Sequence, residues 1–495
     1  MSSNALIPEW QAVIDIGSNS VRLVIYDVAG RALLPHYNEK VMARLGARLS
    51  KSGELSGEGK AVAMKAIRRY HAILAGLGVK SVKAVATAAV RRASDGLAFV
   101  TEIEQETGIK VDIIDGAEEA RLSALGVNGS IYEASGVVGD LGGSSLEFAG
   151  LSGGKIGLAE THMLGPLSLN ASKLSISELQ TRVRQDLLGS KVLNEAGGRF
   201  YMVGGAWRAL AKLHMELTEY PLNQLHAYAL DGRAIEHLAT VTQSNNTMSR
   251  QLMEKISIKR ASALPYASVL LSEIFKIGKF HDAMVSSYGV REGVVLDGLD
   301  QDMDNDPLLD GVALAVRLHG KRREFGEALF EWVTPSITAQ RDLFGTLAVS
   351  RRLIGAACLL SDSGARFHPD ARAQLAYRQV LTAPYSSVTH QERAFIALAV
   401  ARRYSRRFRL KEKNAVLLND RQIKLAKRLG AAMRLGAVFS GRSSALLKVC
   451  ELKRSDSQIS LVLPKAQKAL VSSMVERRLE TLASLLDLQA NIKFT

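Results

Sequence analysis

Two segments of the chain repeat one pattern of apolar and polar positions. An apolar run that reaches Asp15 is followed by Gly-Ser-Asn-Ser and a second apolar run, and the same order recurs around Asp140 with Gly-Gly-Ser-Ser. Short apolar runs on either side of a turn of small residues predict strand–turn–strand units. Because the two aspartates lie 125 positions apart (140 − 15), we expect two similar α/β halves that close on one ligand.

The second part of the chain has a different pattern. Apolar positions recur with the period of a helix at 343–360 and 390–407, and residues 457–466 alternate like a short strand. The charge-dense segment 299–308 separates two apolar blocks and therefore predicts a domain boundary. We expect three domains, at 1–127, 128–303 and 304–495.

The two turns have the composition of phosphate-binding loops. Small residues let the backbone approach an anion closely, and their N–H and hydroxyl groups donate to phosphate oxygens. A third anion site is predicted where the strand-like run 201–203 leads through two glycines into a helix that carries Arg208. The candidate phosphate-binding residues are Gly17, Ser18, Asn19, Ser20, Gly142, Gly143, Ser144, Ser145, Gly204 and Gly205.

Carboxylates accompany both turns. Asp15 and Asp140 precede them, and Glu147 follows the second. Carboxylate and phosphate oxygens together suit Mg²⁺, so these three residues are the candidate metal ligands. Glu119 is the best candidate for a general base, because it belongs to an acidic pair after a strand-like run. From pattern alone, that pair is also typical of the first turn of a helix.

Several ordered motifs resemble the exopolyphosphatase / guanosine pentaphosphate phosphohydrolase family within the actin-like, Hsp70-like and sugar-kinase-like superfamily. Residues 15–20 (DIGSNS) and 140–147 (DLGGSSLE) match its two phosphate motifs, and 86–99 and 112–127 match two further segments. Arg260 and the run Arg291-Glu292-Gly293 fall in later family blocks. The resemblance covers about the first 300 residues well.

The resemblance implies a fold and two catalytic residues. The fold is α/β, with two RNase H-like (actin-like ATPase) domains followed by an all-α HD-like domain with a small β-containing part at the C-terminus. Arg91 takes the place of a phosphate-binding arginine, and Glu119 that of the carboxylate that activates water. Repulsion from Glu118 would raise the pKa of Glu119.

The chain departs from the family pattern at three positions. Ser144 replaces a frequent third glycine and can still donate to phosphate. Asp95 stands where asparagine is usual and would bring a negative charge near the phosphate path. Ser168 stands where relatives often carry arginine. The last two departures would lower the affinity for phosphate or shift the substrate preference.

The charge indicates a polyanionic partner. The chain has 64 Lys and Arg against 49 Asp and Glu, a net charge of +15, and a basic surplus of this size favours polyanions. Basic residues cluster after position 401. The predicted groove for a polyanion consists of Arg402, Arg403, Arg406 and Arg407.

Composition and motifs indicate where the protein acts. Two cysteines in 495 residues argue for a reducing compartment, and neither a signal-peptide pattern nor a long uncharged apolar run is seen. We expect a cytoplasmic homodimer without a membrane partner, and nucleic acid is not favoured. The HD-like domain lacks metal-binding histidines, with Leu360-Ser361-Asp362 near the expected dyad, and is expected to be non-catalytic.

The sequence favours one function and leaves others open. We expect an exopolyphosphatase that releases terminal orthophosphate from inorganic polyphosphate by Mg²⁺-assisted attack of water, with a monovalent cation such as K⁺ as a further candidate cofactor. The alternative within the family is conversion of guanosine pentaphosphate to tetraphosphate, or both activities. From other classes, an actin-like ATPase or sugar kinase and a nonenzymatic polyanion- or nucleic-acid-binding protein remain open.

Overall fold

The computed structural model describes residues 9–169, 174–244, 246–258, 261–299, 306–318, 323–337 and 343–495. Arg260 and residues 300–305 of the expected boundary segment lie outside these ranges. The chain divides into two compact units, residues 1–304 and 305–495. None of the described helices is long and apolar enough to cross a membrane.

The first unit begins with an α/β lobe, lobe I. Its described strands form a mixed sheet in the order β3-β2-β1-β4-β5. The elements are β1 (Glu9–Ile16), β2 (Val21–Ala29), β3 (Ala32–Val41), α1 (Leu49–Ser52), α2 (Gly57–Leu77), β4 (Ser81–Ala86), α3 (Ala88–Arg92), α4 (Gly96–Thr107), β5 (Val111–Ile113) and α5 (Gly116–Ser130). Ile14 and Leu23 pack with α2 and α4 on one face of the sheet, and Val13 and Val24 pack on the other.

Lobe II contains a second sheet, in the order β10-β11-β9-β6-β7-β8 among the described strands. The elements are β6 (Gly136–Leu141), β7 (Leu146–Ser152), β8 (Lys155–His162), α6 (Ile176–Leu187), α7 (Lys191–Asn194), β9 (Arg199–Gly204), α8 (Gly205–Leu217), β10 (Ala229–Asp231), α9 (Gly232–Gln243), α10 (Thr247–Ser257), α11 (Leu264–Gly278), β11 (Asp282–Val285) and α12 (Val290–Asp297). Phe148, Phe200 and Trp207 lie in the core on one face of this sheet.

The two sheets repeat one arrangement. β1 pairs antiparallel with β2 and parallel with β4, and β6 pairs in the same way with β7 and β9. Asp15 lies opposite Arg22 in the first hairpin, and Asp140 lies opposite Glu147 in the second. The two look-alike segments therefore occupy equivalent places in two similar sheets, as the sequence predicted.

Helix α5 joins the two lobes. Its Leu122 and Leu125 pack in the core of lobe I, whereas Ala124 and Val127 pack against the sheet of lobe II. It crosses α12 closely, because a Cβ on Gly293 would lie 1.9 Å from the carbonyl oxygen of Leu122. The expected junction at 127/128 falls inside this helix, and the change of sheet comes after its end.

The second unit is mainly helical, with a small sheet in the order β12-β13-β14 among its described strands. Its elements are α13 (Pro307–Leu318), α14 (Arg323–Ile337), α15 (Leu347–Leu359), α16 (Arg372–Thr382), α17 (His390–Tyr404), α18 (Glu412–Ala415), α19 (Asp420–Phe439), α20 (Ser444–Lys448), β12 (Glu451–Arg454), β13 (Gln458–Leu463), α21 (Ser473–Leu486) and β14 (Gln489–Phe494). Helix α17 is buried along most of its length and packs against α16 and α19.

Candidate functional site

The two small-residue turns face each other across a cleft of about 190 Å³ in the first unit. Each turn is closed by the same bond, from the N–H of Gly17 to the carbonyl of Ser20 and from the N–H of Gly142 to the carbonyl of Ser145, both at 3.0 Å. The hydroxyl oxygens of Ser18 and Ser144 lie 3.4 Å apart. The turns thus direct small polar groups toward one narrow space, as a phosphate site requires.

The two turn aspartates have different partners. The Oδ2 of Asp15 accepts a hydrogen bond of 2.9 Å from Nη1 of Arg291, whereas Asp140 accepts from the hydroxyl of Ser123 on α5. Burial raises the pKa of Asp140, while Ser123 and nearby arginines act in the opposite direction. The charge of Asp15 is therefore already balanced by a cation, and that of Asp140 is balanced less directly.

Glu119 lies on the first turns of α5 and lines the cleft. Its side chain is 9% exposed and accepts a hydrogen bond of 3.3 Å from Nη1 of Arg91. Burial and the nearby charge of Asp140 raise its pKa to about 7, although Arg91 acts in the opposite direction. A carboxylate with a pKa near neutrality can accept a proton from water and release it again.

Glu118 plays a different part from the one expected. Its carboxylate accepts two hydrogen bonds of 2.7 Å from Arg121, and the pKa of Glu119 is raised by burial and Asp140 rather than by this neighbour. Like-charge repulsion from Glu118 was therefore the wrong cause, because the side chain pairs with an arginine of its own helix.

Glu147 lies behind the cleft, 1% exposed, on the strand that follows the second turn. Both its carboxylate oxygens are buried without a hydrogen-bond partner among the described residues. Burial and the charge of Glu119 raise its pKa well above the ordinary value. A buried carboxylate in this state is costly unless a proton or a cation accompanies it.

The third predicted anion site also reaches the cleft. Gly204 at the end of β9 and Arg208 on α8 line it, whereas Gly205 is not among the lining residues. At Gly204 the backbone has φ 118°, and a Cβ would lie 2.5 Å from the carbonyl oxygen of Leu141. Both facts require glycine at this position.

The structure brings most of the predicted site together. Asp15, Glu119, Asp140 and both turns line the cleft, and Arg91 and Glu147 stand directly behind Glu119. Arg91 also donates to the carbonyl of Ile114 at 2.6 Å, so it holds Glu119 instead of lining the cleft itself.

The guanidinium groups that line the cleft are those of Arg208 and Arg291. From the sequence, Arg208 was placed on the helix of the third anion site and Arg291 in a later family block, but neither was included among the candidate site residues. Arg291 is held by its bond of 2.9 Å to Asp15, and its neighbour Glu292 is fixed separately, accepting from the hydroxyl of Tyr26 at 2.5 Å and from the N–H of Gly289 at 2.8 Å. Thr87 and Ser287 also line the cleft, and no sequence pattern indicated them.

Two of the three departures from the family pattern, Asp95 and Ser168, lie away from the cleft, whereas Ser144 lines it. Asp95 accepts hydrogen bonds from Nζ of Lys60 at 2.7 Å and from the N–H of Leu55 at 2.9 Å, and it does not line the cleft. Its charge is therefore neutralised locally and is not directed at a phosphate. The N–H of Ser168 bonds to the carbonyl of Gly165, and Ser168 does not line the cleft either.

In the second unit the four predicted groove arginines have unlike surroundings. Arg402 and Arg406 line a small basic pocket. Arg403 forms an ion pair of 2.9 Å with Asp362, and Arg407 is exposed. The surroundings of Arg403 and Arg407 thus differ from those of Arg402 and Arg406.

Asp362 is the last residue of the expected dyad position in the second unit. It lies 2.9 Å from Arg403 and 3.9 Å from Arg442.

Comparison with known proteins agrees with this geometry. Residues 24–302 match the model of the Ppx/GppA phosphatase family, and residues 314–492 match that of the exopolyphosphatase C-terminal domain. Exopolyphosphatase 1 of Mycobacterium leprae is 24% identical over 316 residues, covering 60% of this chain and 91% of the relative. The guanosine-5'-triphosphate,3'-diphosphate pyrophosphatase of Aeromonas salmonicida is 26% identical over 301 residues, covering 60% of each chain.

Solved structures show the same fold. A Ppx/GppA family member from Aquifex aeolicus matches with a TM-score of 0.54 at 24% identity, covering 61% of this chain and all of that one. An exopolyphosphatase from Cytophaga hutchinsonii matches with a TM-score of 0.54 at 23% identity, covering 59% of this chain and 99% of that one. The two sheets thus resemble the actin-like domains of this family. The family match spans both lobes and includes the second turn, Glu119 and Arg291, and on this ground the chain belongs to the Ppx/GppA phosphatase family.

Proposed function

We propose that this chain is an exopolyphosphatase that releases terminal orthophosphate from inorganic polyphosphate. The observation that carries the proposal is the position of Glu119, a buried carboxylate with a pKa of about 7, in a cleft between two phosphate-type turns. Hydrolysis of a phosphoanhydride requires a positioned water and neutralisation of the transferred group, and little covalent chemistry from the protein.

In the proposed reaction the oxygen of water bonds to the terminal phosphorus, and the bridging oxygen leaves on the shortened chain. Glu119 takes the proton of the attacking water, and Arg91 fixes the orientation of its carboxylate. The two turns hold the phosphate oxygens through N–H and hydroxyl groups. Arg208 and Arg291 add positive charge at the cleft, which is where negative charge accumulates in the transition state.

The acidic residues fit a Mg²⁺ ion, which we propose as the cofactor. Glu147, with two oxygens lacking partners, and Asp140 would hold it, directly or through water. Asp15 is a weaker candidate, because Arg291 already neutralises it. Among the described residues no group of three or more His, Cys, Asp or Glu side chains has metal-binding geometry. Mg²⁺ is commonly bound by one or two carboxylates together with substrate phosphates, and it would neutralise charge on the transferred group.

The basic second unit supports polyphosphate as the substrate. A chain of phosphates offers many anionic groups, and the predicted groove would bind it with an affinity that falls steeply with salt. We propose that this unit is a degenerate HD-like domain that binds polyanion. Its match to the exopolyphosphatase C-terminal domain supports that proposal. A cytoplasmic location, a homodimer and a requirement for K⁺ remain parts of the proposal.

Conversion of guanosine pentaphosphate to tetraphosphate is the second candidate. The similarity to the guanosine-5'-triphosphate,3'-diphosphate pyrophosphatase of Aeromonas salmonicida favours it. The same turns and the same Glu119 would serve either substrate, because both reactions remove a terminal phosphate.

Parallel assays distinguish the candidates. Phosphate release is measured with Mg²⁺ and equal concentrations of terminal phosphate from long-chain polyphosphate, guanosine pentaphosphate and ATP. We expect the highest kcat/KM with polyphosphate. Dominant release from the pentaphosphate would move the proposal to the nucleotide, release from ATP alone would favour an ATPase, and no release from any of them would leave a polyanion-binding protein.

A further inference from the structure

The second unit contains a pocket in which positive charge converges. It lies where α19 and α21 meet the end of α17, and its lining is basic, apart from Ala431, Thr481 and Leu485. Among the residues that the structure describes, none with a carboxylate side chain lines it. The basic residues, called here the arginine pocket, are Arg402, Arg406, Lys427, Arg434 and Arg478.

Close helix packing forces these charges together. A Cβ on Gly430 would lie 2.5 Å from Cβ of Arg402 and 2.7 Å from the carbonyl oxygen of Ala399, so α19 approaches α17 nearly at backbone contact. Lys427 and Arg434 are seven residues apart on α19 and therefore share one face of it. The positions of Arg402, Lys427 and Arg434 are thus set by helix packing, whereas Arg406 is exposed beyond the end of α17.

Partners for these cations are few. Nη1 of Arg402 donates to the carbonyl of Phe408 at 3.0 Å, but Nε of Arg478 is buried and has no hydrogen-bond partner among the described residues. Arg434 is half-buried. Elsewhere in this unit Arg352 pairs with Asp306 at 2.7 Å and Arg403 pairs with Asp362 at 2.9 Å. By contrast, no carboxylate among the described residues lines the arginine pocket.

Like charges held together raise the free energy of the unit. Burial, and then the charges of Arg478, Arg403, Arg406 and Arg402, lower the pKa of Arg434 to about 10. An anion that bridges several guanidinium groups would remove that repulsion and supply the missing acceptor for Arg478. Planar guanidinium groups are suited to two-pronged hydrogen bonding with phosphate oxygens.

We propose that the arginine pocket is a binding site for one phosphate group of a compact anion with at least two negative charges. Its interior, about 10 Å³, has room for about one water molecule, so the ligand would lie at the mouth. The pocket differs from the predicted groove. Its basic residues come from α19, α21 and the end of α17 and surround one point, whereas the groove was predicted from arginines that are neighbours in sequence. It does not depend on the hydrolytic cleft, and the phosphate belongs to a free oligophosphate instead of to one group within a longer chain.

Binding is measured on the full chain carrying Glu119→Gln, which should slow hydrolysis by about 10²–10⁴. Isothermal titration calorimetry without Mg²⁺ compares orthophosphate, tripolyphosphate and long-chain polyphosphate. We expect one tripolyphosphate per chain to bind at the pocket, apart from any binding at the cleft, which the pocket variants leave unchanged. Arg434→Ala and Arg478→Ala should each weaken that event about tenfold or more, the usual scale for a lost charge-assisted bond.

Arg421→Ala is the matched control, since Arg421 is an exposed arginine on the same helix. Equal loss of affinity in Arg421→Ala would show diffuse surface charge and overturn the proposal. So would unchanged tripolyphosphate binding in both pocket variants, or binding of long chains alone, which would indicate an extended groove.

Thermal unfolding gives an independent readout. Tripolyphosphate should raise the Tm of the Glu119→Gln chain, and this increase should be smaller in the chain that also carries Arg434→Ala. Without ligand, Arg434→Ala should unfold at the same or a higher temperature, because it relieves repulsion. A lower Tm of the unliganded variant would show that the pocket arginines are structural and would contradict the proposal.

Discussion

Replacing Glu119 with glutamine should stabilise the first unit at alkaline pH. The carboxyl has a pKa of about 7 in the folded chain against an ordinary value of 4.5, so the folded state holds its proton more tightly than the unfolded state does. Stability therefore falls as pH rises from 4.5 to 7, and above 7 the full penalty of the buried charge remains. Glutamine keeps the shape and removes the charge.

The size of the effect follows from that difference. A difference of 2.5 between 4.5 and 7 corresponds to about 3 kcal/mol at about 1.36 kcal/mol per pH unit. At pH 5 the same reasoning leaves less than about 1 kcal/mol between wild type and Glu119→Gln. The difference in free energy of unfolding between Glu119→Gln and wild type should thus grow as the pH rises from 5 to 8. At pH 8 the variant should be the more stable protein.

Native-state hydrogen exchange of strands β6 and β9, with EDTA present, reports the opening of the first unit. We expect exchange in Glu119→Gln to slow by about a hundredfold at pH 8 and to change little at pH 5. Glu118→Gln is the matched control, because this neighbour pairs with Arg121 at the helix surface. Equal protection of wild type and Glu119→Gln at pH 8, or an equal gain in the control, would refute the buried-charge reasoning.

Three further predictions concern other parts of the chain. Gly165→Ala should lower kcat by more than about tenfold, because its Cβ would lie 2.1 Å from the carbonyl carbon of Ser144 and displace the second turn; unchanged kinetics in steady-state assays would contradict the proposed role of that turn. Tyr26→Phe should lower the free energy of unfolding by about 1–3 kcal/mol in urea titrations, since it leaves an oxygen of buried Glu292 without its donor; no loss would show that another donor replaces the hydroxyl. Alanine at all four predicted groove arginines should reduce turnover of long polyphosphate more than of short chains, and equal losses would argue against an extended binding surface.

The sequence predicted best those parts of the site that are local in the chain. Asp15 and Asp140 precede their turns within one strand–turn–strand unit each, so apolar pattern and turn chemistry sufficed to place them. The β-sheets and the helical second part followed from periodicity for the same reason. Glu119 could also be selected, although its burial could not be foreseen from an acidic pair at the start of a helix.

Contacts between distant segments could not be predicted. Asp15 and Arg291 are 276 residues apart in sequence, and their pairing depends on how α12 crosses α5. The hydrogen bond from Ser123 on α5 to Asp140 on β6 also joins different elements, and nothing near Ser123 in the sequence indicated it. In the second unit, helical packing brings Arg434 and Arg478 together with Arg402. The groove predicted from the sequence consisted instead of arginines that are close together in the chain.

Phosphate release from long-chain polyphosphate by wild type and Glu119→Gln is the most direct test of the account. Both proteins are measured with Mg²⁺, and polyphosphate binding is measured in parallel. The account predicts release by wild type, a loss of kcat of about 10²–10⁴ in the variant, the usual worth of a general base, and retained binding in both. Turnover by Glu119→Gln within a few-fold of wild type would contradict the assignment of Glu119 as the base.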